Sequence, residues 1–320
     1  MDAHADSLTE MTDRGYDFDV GLPGTHLDLA RCAGGILDAQ VFTCFVHPRY
    51  MPDRAADRVR AMLDTMDRQL ELFPDRLALC RTTGEIVAAR ESGRLAALLA
   101  IEGGHGIEND LDVLREFHER GVSTMTLTWN NSNDWADGCG DHGPHGGLTD
   151  FGRDVVATME ELSMVVDVSH VARSTFDDVL AVSRRPVMAS HSCARALRDH
   201  PRNLDDDQLR GLAEQGGVAC VNFYSGFLVH EGPCALEDVL DHVMHFVSVA
   251  GVEHVGLGSD FDGIPHAPEG LADVSELPRL TAGLIARGLD ESAITAILGG
   301  NLLRIFDSAH PGASHGENPT

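Results

Sequence analysis

Lysine is absent from this 320-residue chain, so all 24 basic residues are arginine, set against 51 acidic ones. The resulting net charge of -27 repels phosphate backbones and anionic lipid headgroups, so neither nucleic acid nor a membrane surface is an expected partner. Cysteine is scattered: seven residues, at 32, 44, 80, 139, 193, 220 and 234, include no Cys-x-x-Cys pair. An odd count without paired spacing argues against a disulfide framework and a thiolate zinc site, and fits a reducing, cytoplasmic setting. No apolar run reaches membrane-spanning length, and the first residues are acidic rather than a basic-then-apolar signal sequence.

What is present, 43% hydrophobic and 23% charged residues, suffices for the core of one large domain or two ordinary ones. A short strand is expected over 2–6 and a second over 36–46, after a Gly-rich connection. Apolar residues at Val59, Met62, Leu63, Met66 and Leu70 recur at three- and four-residue spacing, which predicts a helix over 53–72 ended by Phe73-Pro74. Strands at 95–101, 122–128, 164–169, 186–190, 217–223 and 254–258 then alternate with helices at 110–119, 148–162, 174–181, 205–214 and 236–250. Helices at 277–287 and 291–306 close the series. About eight strands, apolar on both faces and mostly followed by helices, predict an α/β protein built as one (β/α)8 TIM barrel over residues 1–307. The remainder, 308–320, rich in His, Pro, Gly and Ser, reads as a disordered tail.

Active sites of such barrels lie at the C-terminal ends of the strands, and here those ends carry metal-ligand side chains. The first strand ends in His4 and Asp6, two residues apart and therefore on one face. The third ends in Glu102, the fifth in His170, the sixth in His191 and the eighth in Asp260. A lone histidine is usually structural, but three histidines and three carboxylates on one rim are not explained that way. They also exceed the three protein ligands of one catalytic zinc, so two Zn2+ ions are expected. Two cations about 3.5–4 Å apart need a bridging anion. Without lysine that bridge cannot be a carbamylated lysine, which leaves a carboxylate, and Glu102 lies on the central strand of the set. His4, Asp6 and Glu102 are assigned to one ion, and Glu102, His170 and His191 to the other. Asp260 remains to take and pass a proton.

Asp-Ala-His-Ala-Asp, Ile-Glu-Gly-Gly-His, Leu-Thr-Trp-Asn-Asn, Asp-Val-Ser-His-Val, Ser-His-Ser-Cys-Ala-Arg, Pro-Arg-Asn-Leu, Val-Asn-Phe-Tyr and Gly-Ser-Asp-Phe-Asp-Gly occur in that order. Together they resemble the membrane (renal) dipeptidase family, peptidase family M19, of the amidohydrolase superfamily. The resemblance implies a binuclear zinc dipeptidase, commonly a homodimer, that accepts dipeptides including those with a D-residue at the C-terminal position. It implies the same five ligands, with Asp260 as the acid/base carboxylate. It also implies that Arg202 binds the substrate's C-terminal carboxylate, for which a guanidinium offers a bidentate fork. Trp129, Asn130 and Tyr224 fall at substrate-binding positions. Trp129 stands where the family pattern has a histidine that stabilises the oxyanion, and indole donates one hydrogen bond without carrying charge. The disulfides and lipid anchor of mammalian members have no counterpart here. The competing readings are a deacylase of N-acyl amino acids using the same metals, and a metal-binding homologue with little activity.

Overall fold

A computed structural model, describing residues 1–141 and 143–310, turns this alternation into a parallel barrel. Its strands are β1 (Asp2–Ala5), β2 (Ala39–Phe45), β3 (Leu77–Leu79), β4 (Leu95–Glu102), β5 (Val122–Thr126), β6 (Val165–Asp167), β7 (Met188–Ser192), β8 (Val218–Val221) and β9 (Val255–Leu257). Eight of them pair in the order β1-β2-β4-β5-β6-β7-β8-β9. The ring closes just past β9, where Asp6 N donates to Phe261 O at 2.8 Å and Asp260 N to His4 O at 3.0 Å. The fold is therefore the expected single-domain (β/α)8 TIM barrel.

The ninth strand, β3, was not expected; it pairs with the first residues of β4, outside the ring. Three residues are too short to display a period. The helices Ser7–Arg14 and Thr83–Glu91 are likewise additions, the second opened by a capping box between Thr82 and Glu85. The long helix expected to close the chain is broken. Glu291–Thr295 and Asn301–Ala309 are joined by a π-helical turn at Ala296–Gly300, kinked at Gly299. Because the final helix runs through Ala309, it extends past the expected boundary at 307. Residues 311–320 of the expected tail lie outside the described residues.

Burial follows from the strand pattern. All eight residues of β4 are buried, as a strand covered on both faces requires. Small and β-branched side chains (Ala3, Ala39, Val41, Ala96, Ala100, Val165, Val218) fill the barrel interior, and Leu302, Ile305 and Phe306 of the last helix pack on the same cluster. Outside, Val59, Met62, Leu63 and Met66 of helix Ala55–Leu72 are buried at the spacing read from the sequence. Gly258, just beyond β9, sits so close to β7 that a Cβ there would lie 1.8 Å from Ser190 O. Glycine is required at this approach, and it draws β9 in beneath the rim.

Candidate metal centre and active site

Each ligand-type side chain is placed by a strand end. His4 belongs to β1 and Asp6 follows it, Glu102 is the last residue of β4, and His191 lies within β7. His170 and Asp260 each sit three residues beyond a strand, with φ of 68° and 63°. The left-handed region is unusual for residues other than glycine and costs on the order of 1–3 kcal/mol, a strain concentrated at functional sites. Gly263 completes the turn after β9; a Cβ there would fall 2.1 Å from Asp6 Oδ2 and 2.5 Å from Asp260 Oδ1.

Glu102 stands in the middle of the group. Its Oε2 lies 3.7 Å from His4 Nε2, while its Oε1 lies 2.7 Å from His170 Nε2 and 3.5 Å from His191 Nε2. His4 Nε2 is also 3.7 Å from Asp6 Oδ2 and 3.9 Å from Asp260 Oδ1. Two sets, His4–Glu102–His191 and His4–Asp6–Asp260, each have ligand atoms within 4.8 Å of one another. His4 Nε2 and Asp6 Oδ1 are buried without a hydrogen-bond partner. Buried polar atoms are nearly always satisfied, so these orphans, on side chains that approach to 3.7 Å, fit a cation.

The electrostatics agree. Burial alone would lower the pKa of His4, but the Glu102, Asp6 and Asp260 carboxylates outweigh it and raise it to about 10. Burial holds the Glu102 carboxyl well above its usual range, with Asp6 and Asp260 adding and His4 opposing. Asp260 is pushed up to about 6, by burial first and then by Asp6, against His4 and Asn222. Burial, Arg202 and His4 together hold His170 and His191 well below the ordinary imidazole value, which keeps their ring nitrogens free as ligands. Carboxylates crowded around one imidazole relieve their repulsion most fully by taking up metal cations.

Above these groups opens a cavity of about 390 Å³, a size that suits a small molecule. Asp6, Glu102, Trp129, Asn130, His170, His191, Tyr224 and Asp260 all line it. His4 lies beneath, 1% exposed. Phe45 and Phe227 add to an aromatic wall with Trp129 and Tyr224; the Trp129 ring centre is 5.3 Å from Phe45 and 6.1 Å from His170. Asn130 lines the cavity and also meets His170 Nδ1 with its Oδ1 at 2.9 Å. Arg202 is not part of the lining. It is buried behind the Phe227 ring, its Nη2 donating to His191 O at 2.9 Å and its Nε unpartnered.

Sequence reasoning gave Asn222 no role. Its Nδ2 donates to Asp260 Oδ2 at 2.9 Å while its Oδ1 accepts from Tyr224 N at 2.5 Å, so it orients Asp260. Glu10 and Asp262, on the acidic side of the cavity, were also missed. Glu10 lies four residues after Asp6, one turn along a helix that was not expected.

A parallel barrel whose C-terminal rim gathers imidazoles and carboxylates beneath a small-molecule cavity defines a metal-dependent hydrolase of the TIM-barrel class. The chain belongs to the membrane dipeptidase family, peptidase family M19, whose model matches residues 1–318. It is 37% identical over 310 residues to an uncharacterized dipeptidase of Schizosaccharomyces pombe, covering 91% of this chain and 74% of that one. It is 38% identical over 294 residues to dipeptidase verJ of Clonostachys rogersoniana, covering 88% and 76%. Among solved structures it resembles a metallopeptidase from Rhodobacter sphaeroides liganded with a phosphinate mimic of the dipeptide L-Ala-D-Ala. The two superpose with a TM-score of 0.88 at 29% identity, over 96% of this chain and 98% of that one. The protein is therefore a metallo-dipeptidase. Among the described residues no helix is long and apolar enough to cross a membrane.

Proposed function

We propose that this dipeptidase works with two zinc ions bridged by Glu102 and accepts dipeptides with a D-residue at the C-terminal position. The observation that carries the metal count is the division of labour within Glu102, whose Oε2 faces His4 and whose Oε1 faces His170 and His191. His4, Asp6 and Glu102 would hold one ion, and Glu102, His170 and His191 the other; imidazole and carboxylate ligands suit zinc. Bound there, the ions would polarise the scissile carbonyl and make a water a better nucleophile. Asp260, oriented by Asn222, is placed to take a proton from the attacking water and to return it to the leaving amine. The relative liganded with an L-Ala-D-Ala mimic supports the stereochemical part. We also propose a homodimer, as the family resemblance implies, and a reducing compartment, since all seven cysteines are free.

The test is a panel of dipeptides, with L- and D-residues at the C-terminal position, against N-acetyl amino acids and a blank without enzyme. Free amino acid should be released from dipeptides and lost on chelation. Release from the N-acetyl series instead would make the protein a deacylase.

Two expectations concern substrate recognition. Arg202→Ala should raise KM more than it lowers kcat, and the loss should shrink for substrates amidated at the C-terminus. Equal losses on both would remove Arg202 from carboxylate recognition. If Trp129 costs the enzyme an oxyanion donor, Trp129→His should raise turnover across many dipeptides at unchanged metal content, because one such donor is typically worth about 10²–10³. A uniform drop would mean that the site is built around the indole.

A further inference from the structure

Beneath the rim a further buried carboxylate, Asp167, ends β6. It is 2% exposed and every partner it has is a donor. Its Oδ1 accepts from Ser169 N and Ser190 N, both at 2.9 Å, and its Oδ2 from Thr126 Oγ1 and Ser190 Oγ, both at 2.6 Å. Ser190 is the pivot, because the same Oγ lies 2.8 Å from His191 Nδ1. A carboxylate only accepts, so the single Ser190 hydroxyl proton is committed to Asp167. The oxygen then has only lone pairs to offer His191, and Nδ1 must carry the ring proton. Nε2 is left without a proton, an acceptor 2.9 Å from His170 Nε2 and 3.5 Å from Glu102 Oε1.

We propose that Asp167, acting through the Ser190 hydroxyl, fixes His191 in the Nδ1–H tautomer and so keeps Nε2 available to a cation. This rests on the reading above that His191 is a metal ligand. Asp167 is a positioning residue, touching neither substrate nor metal. His170 provides the contrast: its Nδ1 faces the Asn130 side-chain amide, which can present either oxygen or nitrogen and so does not fix a tautomer. At the Nδ1 side, direction is imposed on His191 by a group that cannot reverse it.

The reversal can be engineered. In Asp167→Asn the amide oxygen can keep both backbone donors, but its NH2 replaces Oδ2 and must donate to Ser190 Oγ. The hydroxyl proton then turns to His191 Nδ1 at 2.8 Å, a closer acceptor than Ser169 Oγ at 3.4 Å, and the ring proton moves to Nε2, where it blocks the metal. Ser190→Ala merely removes the link and leaves the tautomer free. The full chain carrying Asp167→Asn, Ser190→Ala or both, and wild type, should be titrated with zinc in a competitive chelator assay. Histidine 15N NMR of each metal-free protein reports the His191 tautomer.

Asp167→Asn should weaken zinc binding by about 10–100-fold and convert His191 to Nε2–H. Ser190→Ala should cost less. The double variant should bind zinc more tightly than Asp167→Asn alone, since no hydroxyl remains to enforce the wrong tautomer. A purely structural staple between β5, β6 and β7 predicts the opposite, a double variant at least as impaired as either single one, and that result would overturn the proposal. So would an Nε2–H His191 in wild type, a measurement that needs no variant to fold. His191→Ala separates the two levels. If it leaves zinc uptake unchanged, the metal-ligand reading fails and takes this inference with it. If it weakens uptake while Asp167→Asn does not, only the inference fails.

Discussion

Glu102→Gln is expected to empty both metal sites together. A carboxylate presents an anionic oxygen to each side, whereas a primary amide has one oxygen, no charge, and an NH2 that cannot bind a cation. Glu102 is 3% exposed, so water does not readily take the place of the lost oxygen. Substitution also leaves His4 and His170 facing an amide across 3.7 and 2.7 Å. Elemental analysis of the reconstituted protein should give two divalent ions per chain for wild type. For the variant, both should fall by the same factor, with turnover lost in step. Loss of only one ion would show that Glu102 is not the bridge, and wild-type protein saturating at one ion would defeat the binuclear assignment altogether.

Asp260→Asn should behave differently, keeping the ions and losing the reaction. Asn222 donates to Asp260 Oδ2 at 2.9 Å, so the new amide is expected to turn its oxygen towards Asn222 and its NH2 towards His4. The fold and cavity survive that exchange, but an amide neither takes nor returns a proton. Proton-transfer groups typically contribute about 10²–10⁴-fold to turnover, and a loss of that size at unchanged metal content is the expected result. A loss below about tenfold would assign proton transfer to another group. A loss accompanied by metal release would make Asp260 a ligand, a role its 3.9 Å separation from His4 Nε2 brings within reach.

Much of this centre was legible in the sequence because barrel topology converts order along the chain into position on a rim. His4, Glu102, His170, His191 and Asp260 could each be picked out as the polar residue ending an apolar run. What escaped depends on register between strands. Asp167 stands in the Asp-Val-Ser-His motif, but its partners Thr126 and Ser190 are 41 and 23 residues away. No local pattern marks two strands that happen to level their hydroxyls with one carboxylate on the strand between them. Asn222 was hidden likewise, its partner Asp260 being 38 residues on. Arg202 shows the converse limit. Motif order marks it as important, but only the fold reveals that its guanidinium lies behind Phe227 with one nitrogen still unpartnered. The helices at Ser7–Arg14 and Thr83–Glu91 were missed because each buries only two apolar residues, Leu8 and Met11 in one and Ile86 and Ala89 in the other, too few to display a period.

The seam between β1 and the end of β9 has a consequence for the order of events during synthesis. Asp260 N bonds His4 O and Ser259 bonds Asp2 across 257 residues of sequence, so the first ligands to leave the ribosome wait for nearly the last. At translation rates of about 5–20 residues per second, His4 and Asp6 are exposed for roughly 13 to 50 s before Asp260 is made. Closing so long a loop is entropically costly and slow. Until it closes, the nascent chain presents the proposed ligands without a cage and without the proposed proton carrier. On the proposed assignment hydrolytic competence arrives all at once, on ring closure, and a chain interrupted before Asp260 is expected to lack peptidase activity.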